Sequence, residues 1–285
     1  MEILKITGIT DDTERAFYGS SYVDFEDIKV DGPKDGESAF KECDHIKVSN
    51  SLLNLRYPFW HDDFLEIHTS YMGETCRAPL WYCTNVKIND LESYSIKPLR
   101  ECKNVQISNS KFKSDEFAWK VKNISILNSE IDGFYSFFEC QDITINNLTF
   151  KGKYSFQYCE NIYIKDSNLD TKDAFWHSKN VRVENSIVKG EYLGWYSENL
   201  TLINCTIIGT QPLCYCKNLT LINCKFEEAD FAFEYSEVNG NIIGTLISIK
   251  NPISGTLTVD TYPEVIIDAF DQSNGEFTLL ENENI

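Results

Sequence analysis

The sequence contains no run of eighteen apolar residues, so it predicts no membrane-spanning helix. Its first ten residues lack the charged segment and the long apolar stretch of a secretory signal, which predicts a cytoplasmic protein. Basic residues are few: 26 Lys and Arg stand against 44 Asp and Glu, for a formal net charge of −18. A surface this acidic argues against nucleic acid and anionic membranes as partners.

Several motifs of catalytic and metal sites are also missing. The sequence has no glycine-rich phosphate loop, no His-Glu-x-x-His motif and no nucleophile elbow. We therefore expect no nucleotide cofactor and no bound metal. Ten cysteines without a signal segment indicate free thiols in a reducing compartment rather than disulfides. Nothing in the sequence indicates the oligomeric state.

Pairs of apolar residues, with one polar residue inside each pair, recur along the chain at a nearly constant step, which is usually nineteen. The pairs are Ile28/Val30, Ile46/Val48, Leu65/Ile67, Val86/Ile88, Val105/Ile107, Ile124/Ile126, Ile143/Ile145, Ile162/Ile164, Val181/Val183, Leu200/Leu202 and Leu219/Leu221. A fixed period near twenty is typical of a solenoid. The alternation within each pair predicts a short strand with one face inward.

The rest of the repeat predicts two more strands and three turns. Asn or Asp stands before most pairs and again just after them, as at Asn85 and Asp90, and these residues suit tight left-handed turns. An aromatic-rich segment such as Phe59-Trp60 follows, and it ends on a column of small residues that includes Cys83. Three short strands in each repeat of this length predict an all-β fold, a parallel β-helix.

The repeat predicts one β-helix domain over residues 1–285. We expect an N-terminal cap over 1–27, about eleven regular 19-residue coils over 28–240, and irregular coils with a C-terminal cap over 241–285. Asp11 and Glu14 stand at capping-box spacing, which predicts a short helix from Asp11 to Gly19. Caps keep the backbone of terminal coils from pairing with other chains.

Several segments resemble an uncharacterised bacterial family of pectin-lyase-like right-handed β-helices, a domain of unknown function. They are RYPFWH (56–61), GKYSFQYC (152–159), LDTKDAFWHSKN (169–180), VKGEYLGWYSENLTLINC (188–205), GTQPLCYCKNL (209–219) and SIKNPISG (248–255). The resemblance implies a single-stranded right-handed parallel β-helix in a cytoplasmic bacterial protein. It supplies no catalytic residues, and the fold alone does not transfer an activity.

One column of the aromatic-rich segment is interrupted by an arginine. It reads Trp60, Trp81, Arg100, Trp119, Phe138, Gln157, Trp176, Trp195, Cys214 and Phe233. Stacked coils place equivalent residues about 4.8 Å apart, so Arg100 can stack on both neighbouring indoles. Two interpretations stay open: Arg100 faces a ligand, or it neutralises a buried acid such as Glu101 or Glu116. It also stays open whether this column or the one beginning at Phe59 faces water.

The next column is more polar, and we expect it to face solvent. It reads His61, Tyr82, Glu101, Lys120, Glu139, Tyr158, His177, Tyr196, Tyr215 and Glu234. Glu101 and Glu139 are two coils apart, about 9.6 Å, at the outer limit for the carboxyl pair of an inverting glycosidase, roughly 6.5–9.5 Å. With Asp115 they are the candidate catalytic residues. The alternative is an exposed ladder of ion pairs through Lys120.

One coil, from Leu65 to Val86, is longer than the others, and its extra residues lie near Gly73 to Arg77. An insertion in a solenoid is often a binding loop. The candidate ligand-binding residues are therefore Arg77, Trp81, Arg100, Trp119, Lys120 and His61. Aromatic rings edged by charge predict a carbohydrate- or glycoconjugate-binding module with no cofactor. The alternatives are a glycan-active hydrolase or lyase, and an acidic scaffold for protein interactions or a DNA mimic.

Overall fold

The structure is a computed structural model that describes residues 3–32, 36–268 and 276–282. The chain divides into two compact units, residues 1–144 and residues 145–285. Both units are built from short parallel strands, and the described residues include no helix. Within these ranges, accordingly, no helix is present that could cross a membrane.

The strands before the unit boundary are β1 (Leu4–Thr7), β2 (Thr10–Asp11), β3 (Ser21–Glu26), β4 (Lys29–Val30), β5 (Asp44–Ser49), β6 (Leu52–Leu53), β7 (Phe59–Trp60), β8 (Asp63–Met72), β9 (Leu80–Trp81), β10 (Thr84–Ser93), β11 (Lys103–Ser108), β12 (Lys111–Lys113) and β13 (Lys122–Phe134). The boundary falls within β14 (Gln141–Lys153). The remaining strands are β15 (Glu160–Lys165), β16 (Asn168–Lys172), β17 (Lys179–Glu184), β18 (Ile187–Lys189), β19 (Glu198–Ile203), β20 (Thr206–Ile208), β21 (Leu219–Glu227), β22 (Val238–Ile242), β23 (Ser248–Lys250), β24 (Ser254–Val259), β25 (Glu264–Ile266) and β26 (Glu276–Glu281).

In the first unit each coil contributes to three walls of parallel strands. The first wall carries the apolar pairs, and its leading residues stack in register in the order Val23, Ile46, Leu65, Val86, Val105 and Ile124. The second wall begins after a tight bend at Asp90 and its equivalents. The third wall consists of β7 and β9, which pair in parallel, followed by single bridges. The parallel β-helix predicted from the repeat is confirmed.

The second unit repeats this arrangement. Its first wall stacks Ile162, Val181 and Leu200 in register, and its second wall stacks Leu169 on Val188. Beyond the last apolar pair the pairing becomes irregular, with a register shift between Leu221 and Cys224. Part of the expected C-terminal cap, residues 269–275 and 283–285, lies outside the described residues.

All eleven apolar pairs are buried, which confirms their inward orientation. The register assumed for the first pair is wrong, however. Val30 pairs with Leu53 in the second wall, whereas Ile46 pairs with Val23 in the first. This early coil is a long one, in which the amide of Ile28 donates to the hydroxyl of Ser51 across 23 residues. The step from Ile28 to Ile46 therefore joined positions of two different walls.

The predicted helix from Asp11 to Gly19 is also wrong, because the chain forms turns there. The amides of Arg15, Phe17 and Gly19 donate to carbonyls of the next coil at 2.8–3.0 Å, so they are not free to make helical bonds. Parallel pairing already begins at Leu4, within residues 1–27. With the coils at both ends, the described residues form about 14 turns, where about eleven regular coils were predicted.

Left-handed residues make the tight turns, as the Asn and Asp columns predict. Asn85 has a φ of 53° and Asp90 a φ of 57°. The side chains of the first column form an amide ladder, in which Asn104 Nδ2 donates to Asn85 Oδ1 at 3.0 Å. Asn123 Nδ2 donates to Asn104 Oδ1 at 3.0 Å in the same way. The ten cysteines are free thiols and are buried.

Candidate functional site

The tryptophan wall of the first unit comprises Trp60, Trp81, Arg100, Trp119 and Phe138. These side chains are partly exposed, whereas Phe59, the residue before Trp60, is 0% exposed. The tryptophan wall therefore faces solvent and the column that begins at Phe59 packs in the core. This settles the orientation that the sequence left open.

Arg100 pairs with an acid on the tryptophan wall. Its guanidinium lies 4.1 Å from the ring centroid of Trp119 and forms an ion pair with Glu116. Lys97 Nζ lies 3.0 Å from the other carboxylate oxygen of Glu116. Only 16% of the Arg100 side chain is exposed. The structure therefore supports the interpretation that Arg100 neutralises a half-buried acid, and a contact with a ligand stays a prediction.

The tryptophans differ in the hydrogen bond of the indole nitrogen. Trp119 Nε1 donates to the carbonyl oxygen of Tyr135 at 2.6 Å. Trp176 and Trp195 make the equivalent bond, to the residue 16 positions further along the chain, at 2.7 and 2.9 Å. Trp81 Nε1 is buried and has no partner among the residues that the structure describes. Trp81 therefore lacks the hydrogen bond that Trp119, Trp176 and Trp195 make.

The polar column of the first unit faces solvent, as predicted. His61, Tyr82, Glu101, Lys120 and Glu139 are all exposed. Lys120 Nζ lies 3.6 Å from a carboxylate oxygen of Glu139, with both side chains about half exposed. This is one of the two ion pairs of the exposed ladder that the sequence offered as the alternative, and a catalytic role of Glu101 and Glu139 stays a prediction.

The two remaining candidates of the first unit are also exposed. The side chain of Asp115 accepts a hydrogen bond from the amide of Phe134 at 2.8 Å, so it holds the backbone of the next coil. Arg77 is exposed at the end of the widened coil and bridges to Ile96 through its backbone. Ligand contacts of these residues stay predictions.

The tyrosine ladder of the second unit comprises Tyr158, His177, Tyr196, Tyr215 and Tyr235. The distances between neighbouring ring centroids are 5.0, 4.9, 4.7 and 5.7 Å. Rings that stack in this way cover one another's faces and leave their edges to solvent. The ladder therefore presents a row of polar ring edges, not flat rings on which a sugar can stack.

The end of this ladder corrects two sequence assignments. Tyr235, not Glu234, occupies the ladder position, and Phe233 is 0% exposed and belongs to the core column. The amide of Cys216 bonds to Ser236 across 20 residues rather than the usual nineteen. One extra residue in this coil therefore moves both side chains one position from their predicted columns.

A groove of about 740 Å³ lies on the outer face of the first wall in the first unit. One side is an aromatic stack of Tyr22, His45 and Phe64, with ring centroids 4.6 and 4.3 Å apart. Asn85 and Asn104 continue the same side as the first members of the amide ladder. Phe64 is 46% exposed, so an apolar ring borders the groove.

The three aromatic residues occupy backbone positions that do not favour them. Tyr22, His45 and Phe64 have φ values of 55°, 51° and 49°. Later coils place Asn at the same position, as at Asn85, because Asn tolerates left-handed backbone best after Gly. A bulky residue there costs about 1–2 kcal/mol. The same left-handed backbone recurs at aromatic residues outside the groove, such as Tyr158 and Tyr196, so it does not by itself mark a site.

Polar side chains line the floor of the groove. They are Asp24, Lys47, Glu66, Lys87 and Gln106, which point outward between the members of successive apolar pairs. Glu66 accepts hydrogen bonds from Lys87 at 3.1 Å and from His68 at 3.3 Å. Partial burial raises the pKa of Glu66, but the two hydrogen bonds outweigh burial and hold this pKa below its ordinary value. Glu66 is therefore ionised at neutral pH and hydrogen-bonded on both oxygens.

The histidine of the aromatic stack has a fixed orientation. Its Nδ1 lies 2.8 Å from Oδ1 of Asp44, the residue before it. His45 therefore has one nitrogen held by a carboxylate and one at the open edge of the ring. Over the described part of the chain, no group of three His, Cys, Asp or Glu side chains is arranged to hold a metal ion.

The sequence did contain a signal for this groove. The Asn column before the apolar pairs changes to His45 and Phe64 in two early coils. This departure has the same form as Arg100 in the tryptophan column, one residue type replacing another at a fixed position. Tyr22 carried no such signal, because the register of its coil was wrong.

A family model described as a protein of unknown function (DUF3737) matches residues 5–279. No curated protein matches the sequence. Among solved structures, the surface adhesin PfbA of Streptococcus pneumoniae is similar at a TM-score of 0.51 and 11% identity, over 97% of this chain and 84% of that one. A GH136 lacto-N-biosidase from Eubacterium ramulus gives a TM-score of 0.41 and 9% identity, over 88% and 62% of the two chains. The similarity to the adhesin lies in the fold, a right-handed parallel β-helix.

Proposed function

We propose that this chain, which belongs to the DUF3737 family, binds an oligosaccharide in the groove of its first unit. The observation that carries the proposal is the aromatic stack of Tyr22, His45 and Phe64 beside a polar floor. A sugar ring has apolar C–H faces and a rim of hydroxyl groups. An aromatic border and hydrogen-bonding amides and charges meet both needs in one concave site.

The exposed ring at residue 64 supports a role beyond packing. Phe64 adopts a φ of 49° where Asn85 stands in the next coil. Asn at residue 64 would relieve the strain and extend the amide ladder by one member. The solvent-exposed phenyl ring is instead retained at a cost in stability, and a ligand that contacts the ring gives a reason for it.

The charges of the groove favour binding over turnover. A glycosidase needs one carboxyl group with a raised pKa to act as the general acid. Burial raises the pKa of Asp62 and of Asp173, and both side chains lie outside the groove. Inside it, Glu66 is ionised and bound to Lys87 and His68. A glycan-active hydrolase or lyase remains the alternative, with Glu101, Glu139 or Asp115 as its candidate residues.

A second candidate site is the tryptophan wall, and the buried Trp81 Nε1 without a partner is the observation that favours it. Because this nitrogen is buried, the Trp81 ring must turn outward before a hydroxyl group of a ligand can accept the hydrogen bond that a carbonyl oxygen accepts from Trp119. The candidate ligand-binding residues of this second site are those predicted from the sequence: Arg77, Trp81, Arg100, Trp119, Lys120 and His61. Trp81→Phe removes the indole nitrogen and keeps an aromatic ring, so it tests this site alone.

The test is a glycan array followed by titration of the best oligosaccharide against Phe64→Asn. We expect the variant to fold, because Asn suits the backbone of residue 64, and to bind at least about ten-fold more weakly, a loss of about 1.4 kcal/mol. Tyr82→Asn is the matched control, because Tyr82 is an exposed aromatic residue with a φ of 59° outside the groove. Equal affinity of Phe64→Asn and the parent protein would contradict the proposal, and loss in Trp81→Phe alone would move the site to the tryptophan wall.

A further inference from the structure

One acid points into the core beneath the corner that joins the third wall to the first wall. Asp62 lies in the column of small residues, between Cys43 and Cys83 of the neighbouring coils, and is 1% exposed. Its Oδ1 accepts a hydrogen bond from the amide of Cys43 at 2.8 Å. Its Oδ2 is buried and has no partner among the described residues. A buried carboxylate with a hydrogen bond to only one of its two oxygens is costly to keep ionised.

The groups that face this carboxyl do not stabilise its negative charge. They are the buried thiols of Cys43 and Cys83 from the coils on either side, and the exposed carboxylate of Glu42, the residue before Cys43. Burial first, and then Cys83 and Glu42, raise the pKa of Asp62 to about 10, although the amide of Cys43 opposes the shift. The proton is therefore retained when the corner is closed.

The corner that contains Asp62 is connected by hydrogen bonds to residues on one side of the groove. The carbonyl oxygen of Asp62 accepts the amide of Thr84 at 2.9 Å. The next side chain, Asp63, accepts the amide of Phe64 at 3.0 Å and the side-chain amide of Asn85 at 2.8 Å. Asp63 therefore links the aromatic stack to the amide ladder, one residue along the chain from Asp62.

We propose that Asp62 is held in the core as a neutral carboxylic acid and that its ionisation opens this corner, which loosens one side of the groove as the pH rises. Any effect on a bound oligosaccharide rests on the proposed function. The opening itself does not, because it is a property of the unliganded first unit.

Proton linkage gives the direction in which pH changes the stability of the closed corner. In the open corner the carboxyl group meets water and ionises with an ordinary pKa of about 3.9. The closed corner keeps the proton up to a pKa of about 10. Opening therefore releases one proton between these values, and the closed corner, fully favoured below pH about 4, loses stability as the pH rises toward 10. Within this interval the opening constant rises about ten-fold per pH unit.

Amide hydrogen exchange of the unliganded protein measures this opening. The reporters are the amides of Cys43 and Thr84, which bond to Asp62 itself. After correction for the intrinsic exchange rate, we expect their protection to fall about ten-fold per pH unit between pH 6 and pH 9. In Asp62→Asn the protection should not depend on pH. Asp132→Asn, which removes an exposed carboxyl group of β13, should keep the parent slope.

Equal slopes in the parent protein and in Asp62→Asn would overturn the proposal. So would lower protection in Asp62→Asn at every pH, because it would mean that the native carboxyl group is ionised and paired. If that variant does not fold, infrared spectroscopy of the parent protein replaces it. We expect a protonated-carboxyl band at pH 7, and its absence would overturn the proposal. Neither measurement uses a ligand, so either failure would leave the binding test of the groove intact.

Discussion

The two units place different chemistry at the same two outward positions of the coil. In the first unit these positions mix rings with charges, as in Trp81, Arg100 and Lys120. In the second unit the more exposed position carries rings in five successive coils, from Tyr158 to Tyr235. The backbone at the exposed position is left-handed in both, with φ of 56° at Lys120 and 59° at Tyr196. Side-chain pairing between coils, not local backbone preference, therefore decides what each column contains.

This difference shows why a column of aromatic residues is not by itself a binding site. In the tyrosine ladder each ring is covered by its neighbours, so stacking uses the faces that a sugar would need. On the tryptophan wall, Arg100 covers a face of Trp119 and is itself held by Glu116. The rings of the groove stack in the same way, but their stack ends at Phe64, which is 46% exposed, and it borders a polar floor and an amide ladder. Three predictions sharpen this comparison.

The largest effect should come from removing the acid of the tryptophan wall. Glu116→Ala leaves the mostly buried guanidinium of Arg100 without its carboxylate, and Lys97 loses the same partner. We expect a loss of about 1–3 kcal/mol in the free energy of unfolding, measured by denaturant titration. The control is Glu101→Ala, which removes an exposed carboxylate from the next coil position. Equal stability of the two variants would contradict the role given to Glu116.

A smaller effect should come from breaking the tyrosine ladder at its centre. Tyr196→Ala removes the two ring contacts within the ladder, with His177 at 4.9 Å and with Tyr215 at 4.7 Å, and a more distant one with Trp195 at 6.4 Å. Because the ring is 46% exposed, we expect a cost of about 1 kcal/mol in chemical denaturation. Oligosaccharide binding should not change. Reduced binding in Tyr196→Ala with the groove variants unaffected would show that ring edges, not the groove, form the site.

The smallest effect should come from the exposed ion-pair ladder. Lys120→Ala breaks the 3.6 Å pair with Glu139, and both side chains are about half exposed. We expect a change in unfolding free energy below about 0.5 kcal/mol that disappears in high salt. A loss above about 1 kcal/mol that persists in salt would mean that the ladder does more than its exposure indicates, and it would revive Glu139 as a site residue.

The periodic part of the structure could be predicted from the sequence, because similar coils repeat one signal many times. The apolar pairs predicted the strands, and the Asn columns predicted the turns at positions such as Asn85 and Asp90. Errors occurred where the period changed. The longer coils before Ile46 and before Ser236 each moved side chains to other columns.

The candidate site was harder to predict, because it depends on contacts across a coil and not on spacing alone. The column spacing predicted that Trp81 and Trp119 are the neighbours of Arg100. The ion pair with Glu116 instead depends on a contact between side chains of two different columns. Asp62 was missed for a related reason. The sequence identified this column of small residues through Cys43 and Cys83. The burial of Asp62 in the structure shows that an acid occupies the same column in the coil between them.

The most direct test of the oligosaccharide-binding groove is a crystal structure of the protein with the tightest oligosaccharide found on the array. We predict a sugar ring against Phe64 and His45, with its hydroxyl groups bonded to Asn85, Lys47 or Glu66 on the floor and side of the groove. Density for the sugar along the tryptophan wall or the tyrosine ladder, with the groove empty, would contradict it.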